Sequence, residues 1–376
     1  LADVRGISVP FREQAEFWRR KVNVPTASWR DLQRGDHAHG FMVAGAARLD
    51  LLDDLRKAVD KAILDGGTIA DFRRNFDAIV ARTGWQYQGG RNWRTRIIYT
   101  TNVRSAYMAG RWAQIQAIKH RRPFLQYVHN DSVRHPRPEH QSWNGKVLSV
   151  DDPWWSTHFP PNGYGCQCTV TTLARRDLDR MGMDGPDAAP TATDDADGLD
   201  PGFDYNVGVA ASSVPAALRF GQKVMQLPPP WRTQALDDAQ RRAADTFADW
   251  AIVLRRALTS PATTPLQRPV GFLRPAVVQA LTDLPASAVL LADDLALRAT
   301  APDLLEALPA WLAAPDTQVW QAPPGSALIF VRRLANGSLV RIRFANSVQG
   351  YQLQGAEQID AATLRRAGYV RLNGES

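Results

Sequence analysis

Apolar residues recur at helical spacing from Ala47 to Leu64, where Leu49, Leu52, Leu55, Ala58, Val59, Ala62 and Ile63 share a face. Gly66-Gly67 ends that pattern. Thr68, with Asp71 three residues on, supplies an N-cap and the acidic half of a capping box for a helix to about Ala81. Gly84 and Gly89-Gly90 mark a connection, and a third helix is expected from about Trp93 to Ile118, with no Pro inside it. Up to about His120 the chain reads as helical.

Past Pro123 the pattern changes to short β-type runs. Phe124 to His129, Lys146 to Val150 and Cys166 to Val170 read as strands, separated by loops rich in Pro, Trp and Gly. Thr172 to Met181 reads as a short helix. Met183 to Gly202 carries Pro186, Pro190, Pro201 and six Asp, and reads as an exposed linker. Val214 to about Thr259 is mostly helical, broken at Pro228-Pro229-Pro230.

From about Pro269 a small separate domain is expected. Ala288 to Leu291 and Gln318 to Gln321 read as strands, and Asp303 to Ala313 as a helix interrupted at Pro309. Ala327 to Arg333 and Ser338 to Phe344 form a hairpin around Ala335-Asn336-Gly337. The fold class is α+β. Its divisions are an extension over 1–40, a first domain over 41–182, an acidic Pro-rich linker over 183–213, a helical connector over 214–268 and a small α+β domain over 269–376.

Composition adds limits. The 376 residues suffice for two or three domains, and 44% hydrophobic with 22% charged is globular composition. No run approaches 18 apolar residues, so no membrane partner is expected. The start, Leu1-Ala2-Asp3-Val4-Arg5, lacks the apolar core of a signal peptide; it also lacks a Met, so residues are expected upstream. Two cysteines make no disulfide scaffold, and point to a chain kept inside a cell or packed into a particle made there.

The charge is uneven. Twelve basic residues lie between Arg82 and Lys146, opposed only by Asp131 and Glu139, whereas ten Asp lie between Asp151 and Asp200. Arg94, Arg104, Arg111, Lys119, Arg121 and Arg122 are therefore candidates for an interaction surface, toward an acidic protein partner or packaged DNA.

The densest chemistry is Asp131 to Val170, with both cysteines, three His and three Trp. Cys166 and Cys168, two apart on the expected strand, face the same side, and a bridge between them would be strained. With His140 as third ligand and His158, His135 or Asp131 as fourth, they suit zinc. Two other readings stay open: reduced thiols packing on Trp154 and Trp155, or a catalytic cysteine with His140 as its base. Pro160-Pro161-Asn162-Gly163-Tyr164-Gly165 is a turn series that fixes the chain just before the cysteines.

The run Asn102 to Arg111 is followed by Arg137-Pro-Glu-His140, Trp143-Asn-Gly145, Asp152-Pro-Trp-Trp155 and Pro160-Pro161-Asn162-Gly163-Tyr164-Gly165-Cys166-Gln167-Cys168. In order and spacing these resemble the phage Mu F-like head morphogenesis family over about residues 40–182. Lys21 to Pro25 and Gly66 to Thr68 also resemble the Mu branch. The resemblance implies a minor capsid protein of a tailed phage or prophage, found in the virion head and assembled in the host cytoplasm. Its implied partners are the portal and other head proteins, and it implies a shared structural role for Arg137, His140, Cys166 and Cys168.

The C-terminal part loosely resembles the barnase- and EndoU-like nuclease domains attached to some such proteins. Arg332, Arg333, Arg341 and Arg343 would then meet phosphates, with Glu306 as base. Against activity, no Lys follows Lys223 and no His follows His158, so the usual acid–base pair for RNA cleavage is missing. A head-assembly protein without enzymatic turnover is expected; a packaged nuclease and a DNA-binding accessory are the alternatives.

Overall fold

The structure is a computed structural model that describes residues 11–133, 135–191, 198–259, 267–323, 325, 327–366 and 368–372. It is α+β and divides into two compact units. Residues to Trp18 and from Thr26 to Ser213 form the first, while Arg19–Pro25 and residues from Val214 onward form the second. Of the expected extension over 1–40, described residues 11–18 and 26–40 group with the first unit and 19–25 with the second.

Four helices open the first unit: α1 (Arg12–Arg19), α2 (Leu49–Leu64), α3 (Ile69–Thr83) and α4 (Arg91–Ile118). The capping box forms as expected, with Thr68 Oγ1 accepting from Asp71 N at 3.2 Å and Asp71 Oδ2 accepting from Thr68 N at 2.8 Å. Gly84 stops α3 in the left-handed region, at φ 66°. Leu52, Leu55 and Val59 of α2 and Phe72 and Phe76 of α3 are buried. Buried Trp18 donates its indole N–H to Asp60, and its carbonyl accepts from Arg56 Nη2 at 2.8 Å.

A three-stranded antiparallel sheet follows, with β1 (Phe124–Val128) between β2 (Val147–Ser149) and β3 (Thr169–Leu173). The third strand starts three residues later than expected, so Cys166 and Cys168 lie in the loop before it. The helix expected from Thr172 begins only at Arg175, because Thr171 to Leu173 still pair with β1. A short helix, α5 (Pro138–Ser142), occupies what reads in sequence as loop; Pro138 sits in its first turn, where no N–H is needed.

The acidic stretch is anchored at both of its described ends, while Asp184, Pro186, Ala188 and Thr191 are exposed. Asp187 bonds Val147 through both its backbone N–H and its carboxylate, at 2.7 and 2.8 Å. Asp200 N donates to Asn162 O at 3.0 Å, and Phe203 is buried. Low apolar content left these polar anchors invisible in the hydropathy pattern.

In the second unit, helices run from Val214 to Thr259, and Pro228 to Pro230 break and restart them as expected. The carboxylate of fully buried Asp238 accepts from Asn23 N, from Arg241 at 3.1 Å and from Arg242 at 2.8 Å, which fixes the Lys21 to Pro25 segment in this unit. Seven strands form one sheet: β4 (Gln267–Phe272), β5 (Val289–Asp293), β6 (Gln318–Ala322), β7 (Ala327–Arg333), β8 (Leu339–Ser347), β9 (Gly350–Ile359) and β10 (Val370–Arg371). Their order is β10-β6-β7-β8-β9-β5-β4, with β9 and β5 parallel and the other neighbours antiparallel. The β7–β8 hairpin turns at Gly337 (φ 86°), where the sequence places it.

The arginines of this sheet are largely engaged. Arg332 pairs with Asp316, Arg341 with Glu357 at 2.5 Å, and Arg333 donates to Gly337 O at 3.0 Å. Arg343 is exposed, alternating with buried Ile342 and Phe344. Glu306 is exposed and lines a cavity of about 410 Å³ with Arg241, Phe247 and Trp250.

Candidate metal centre

The period of two along β1 buries Leu125 and Tyr127, and carries on to bury His129 just past the strand end. Helix α5 delivers His140 to the same place, and the turn series before β3 delivers Cys166 and Cys168. The imidazole of His140 and both sulfurs lie within 4.8 Å of one another, all three buried. His140 Nδ1 is 3.8 Å from Cys166 Sγ and 3.6 Å from Cys168 Sγ, while His129 Nδ1 is 3.4 Å from Cys168 Sγ. Both cysteines are free thiols.

A carbonyl oxygen can only accept, so the 2.8 Å contact between His140 Nε2 and Gly198 O places a proton on Nε2. In the neutral ring that leaves the Nδ1 lone pair directed at the sulfurs. Trp143 stacks on the His140 ring at 5.0 Å and 25°. On the far side of His129, Nε2 faces Asp131 Oδ1 at 3.8 Å.

The two thiols differ. Cys168 is lowered to about 6, by its hydrogen bond with Cys166 first and with help from Tyr127 and Arg104. Cys166 is pushed up to about 12, by holding the shared proton and by burial. Burial, then the two cysteines, holds the Tyr127 phenol well above its ordinary value.

The surrounding loop is built for this packing. Tyr127 Oη donates to Asn162 Oδ1 at 3.0 Å, and Asn162 is fully buried. The Pro160–Pro161 peptide is cis. A Cβ on Gly163 would stand 2.6 Å from both Arg137 Nη2 and Asp200 Oδ2, so glycine admits the Arg137–Asp200 ion pair at 2.5 Å. Gly145, at φ 84°, turns the chain so that its N–H meets Tyr127 O at 2.9 Å.

Of the expected ligands, Cys166, Cys168 and His140 come together. His158 does not join them: it stacks on Trp154 at 4.5 Å and 10°, with Nδ1 against Thr157 Oγ1 at 2.8 Å. His135 is exposed, and Asp131 faces His129 rather than the sulfurs, at 3.8 Å. His129 was legible through the alternation of β1, which puts it on the face of Leu125 and Tyr127.

Part of the expected basic surface turns inward. Arg94 is buried, donates to Ala44 O and lies over the Trp85 ring at 5.4 Å. Arg104 donates to Cys168 O, and Arg122 donates to Thr172 O and pairs with Asp177 at 3.0 Å. Lys119 pairs with Asp151 at 2.7 Å, and Arg111 bonds Gln114 at 3.1 Å. Arg121 stays exposed. Charges that look unopposed in a local window are opposed by carboxylates and carbonyls brought from elsewhere in the chain.

The family described as Phage Mu protein F like protein matches residues 53–171, which span α2 through most of β3. The protein named "Putative capsid assembly protein F" of Escherichia phage Mu is 27% identical, over 90% of this chain and 88% of that protein. The Mu-like prophage FluMu F protein of Haemophilus influenzae is 28% identical, over 60% of this chain and 64% of its own length. No solved structure gives a significant match. Residues 53–171 thus match the Mu F-like family, and the similarity to the phage Mu protein extends over most of the chain.

Proposed function

We propose that this chain is a minor head protein of a Mu-like tailed phage or prophage, acting in procapsid assembly at or near the portal through protein contacts. The observation that carries this is the alignment with the phage Mu protein named for capsid assembly, which runs through both structural units rather than the family domain alone. The work would be done in the virion head, after assembly in the host cytoplasm, with portal and other head proteins as partners.

The buried chemistry supports a structural rather than catalytic role. The Cys–His cluster is buried, and an enzyme must bring the reacting atom to its acid and base. In the second unit the absence of His and Lys beyond Lys223, and the pairing of Arg332 and Arg341 with acids, weigh against phosphodiester cleavage. Internal engagement of Arg94, Arg104 and Arg122 weighs against a broad DNA-binding face.

Co-expression with the portal and major capsid proteins of the same phage tests the proposal. The chain should sediment with assembled procapsids at low copy, and this should be lost when portal protein is omitted. A chain that stays at the top of the gradient would contradict a head role; one that sediments regardless of portal would contradict the portal placement.

A further inference from the structure

We propose that Cys166, Cys168, His140 and His129 hold one zinc ion, and that this ion ties together the end of β1, helix α5, the cysteine loop and the segment at Gly198. Three observations carry the assignment. The donors are two thiols and two imidazoles, a soft, tetrahedral-type set suited to zinc. The spacing of His140, Cys166 and Cys168 fits: bond lengths of about 2.3 Å to sulfur and about 2.0–2.1 Å to nitrogen give a tetrahedral S···N edge of about 3.6 Å. His140 Nδ1 lies 3.8 and 3.6 Å from the two sulfurs, and these three groups lie within 4.8 Å of one another; His129 Nδ1 stands outside that group but 3.4 Å from Cys168 Sγ, so it reaches the ion by moving inward.

The third observation is orientation. Metal-binding imidazoles use one ring nitrogen on the ion and donate the other to a carbonyl or carboxylate. His140 does this through Nε2 to Gly198 O at 2.8 Å, with Nδ1 toward the sulfurs. His129 repeats the arrangement, with Nδ1 toward Cys168 and Nε2 facing the Asp131 carboxylate at 3.8 Å. Its Nε2 is buried and has no hydrogen-bond partner among the described residues, and the proposal requires the ring to move inward so that Nδ1 meets the ion while Nε2 stays toward Asp131.

Four protein ligands close the coordination sphere, so the ion is structural. Two thiolates also balance its charge, which lets the group lie buried among Tyr127, Trp143 and Trp154. Binding releases the thiol protons to solvent and involves no oxidation or reduction.

The test uses the full chain, purified without chelator and analysed for metal. One zinc per chain is expected, and X-ray absorption at the zinc edge should give two sulfur neighbours at about 2.3 Å and two nitrogens at about 2.0 Å. His129→Asn should lower zinc affinity by at least about tenfold, as loss of metal-site groups does, while His158→Asn leaves it unchanged. Absence of zinc, with no uptake on adding zinc to the reduced protein, would overturn the proposal and leave the cluster as packed thiols. A shell without sulfur, or one lost in His158→Asn and kept in His129→Asn, would overturn the ligand assignment. The absorption measurement needs only the unsubstituted protein, so it decides even if a variant fails to fold.

Discussion

His140 Nε2 donates to the carbonyl oxygen of Gly198 at 2.8 Å, joining helix α5 to a segment 58 residues further along the chain. Gly198 sits at φ 71°, and a Cβ there would stand 2.6 Å from the Trp143 ring and 2.8 Å from Glu139 Cβ. The acidic stretch therefore returns to the block it follows, and only a glycine brings its carbonyl in that close.

Gly198→Ala should lower the unfolding free energy of the first unit by about 1–3 kcal/mol, the usual cost of forcing a side chain into the left-handed region. Urea titration followed by tryptophan fluorescence reads this directly, since Trp143 is the residue displaced. An unchanged midpoint would mean that the Gly198 contact contributes nothing.

Arg94→Ala removes a buried guanidinium, the bond to Ala44 O and the contact with Trp85. A loss of about 2–4 kcal/mol is expected from the broken charged hydrogen bond and the lost ring contact. Exposed Arg96→Ala should change stability by less than about 0.5 kcal/mol. Equal effects in thermal melts would show that Arg94 is not the internal anchor described above.

Asp71 is held below the ordinary 3.8 by the Thr68 hydroxyl and N–H, and Asp177 below 3.8 by the Ala174 N–H, with Arg122 adding. A carboxyl with a lowered folded value stabilises the fold above its unfolded value, and that contribution is lost as pH falls through the folded one. Melting temperature should therefore fall as pH drops below about 4. An Asp71→Asn, Asp177→Asn double variant should melt lower at neutral pH and show a shallower acid decline. Parallel curves for the two proteins would contradict this.

Glu306 is the candidate lone base in the second unit, and it lies exposed, lining a cavity together with Arg241. Incubated with RNA or single-stranded DNA, the full chain and Glu306→Gln should be indistinguishable from buffer. Cleavage by the first that the second lacks would move the account to a packaged nuclease.

Elements set by local signals were legible in the sequence. The Thr68–Asp71 box, the Gly84 stop and the Gly337 hairpin each need only a few adjacent residues, and each appears where those residues sit. Cys166, Cys168 and His140 were legible as a group because so few residue types bind metal. The start of β3 was not, since hydrogen bonding to β1 rather than composition decides it. The fate of Arg94, Arg104 and Arg122 was hidden for the same reason: their partners Ala44, Cys168 and Asp177 are 50, 64 and 55 residues away in sequence. His129 was overlooked although the alternation of its strand already placed it inward.

Reconstruction of purified heads, combined with cross-linking and mass spectrometry, tests the central claim most directly. The account predicts a few copies of this chain per particle, cross-linked to portal protein through exposed positions of the first unit such as Arg121. Heads that are infectious and complete without the chain, or a chain found only outside them, would contradict it.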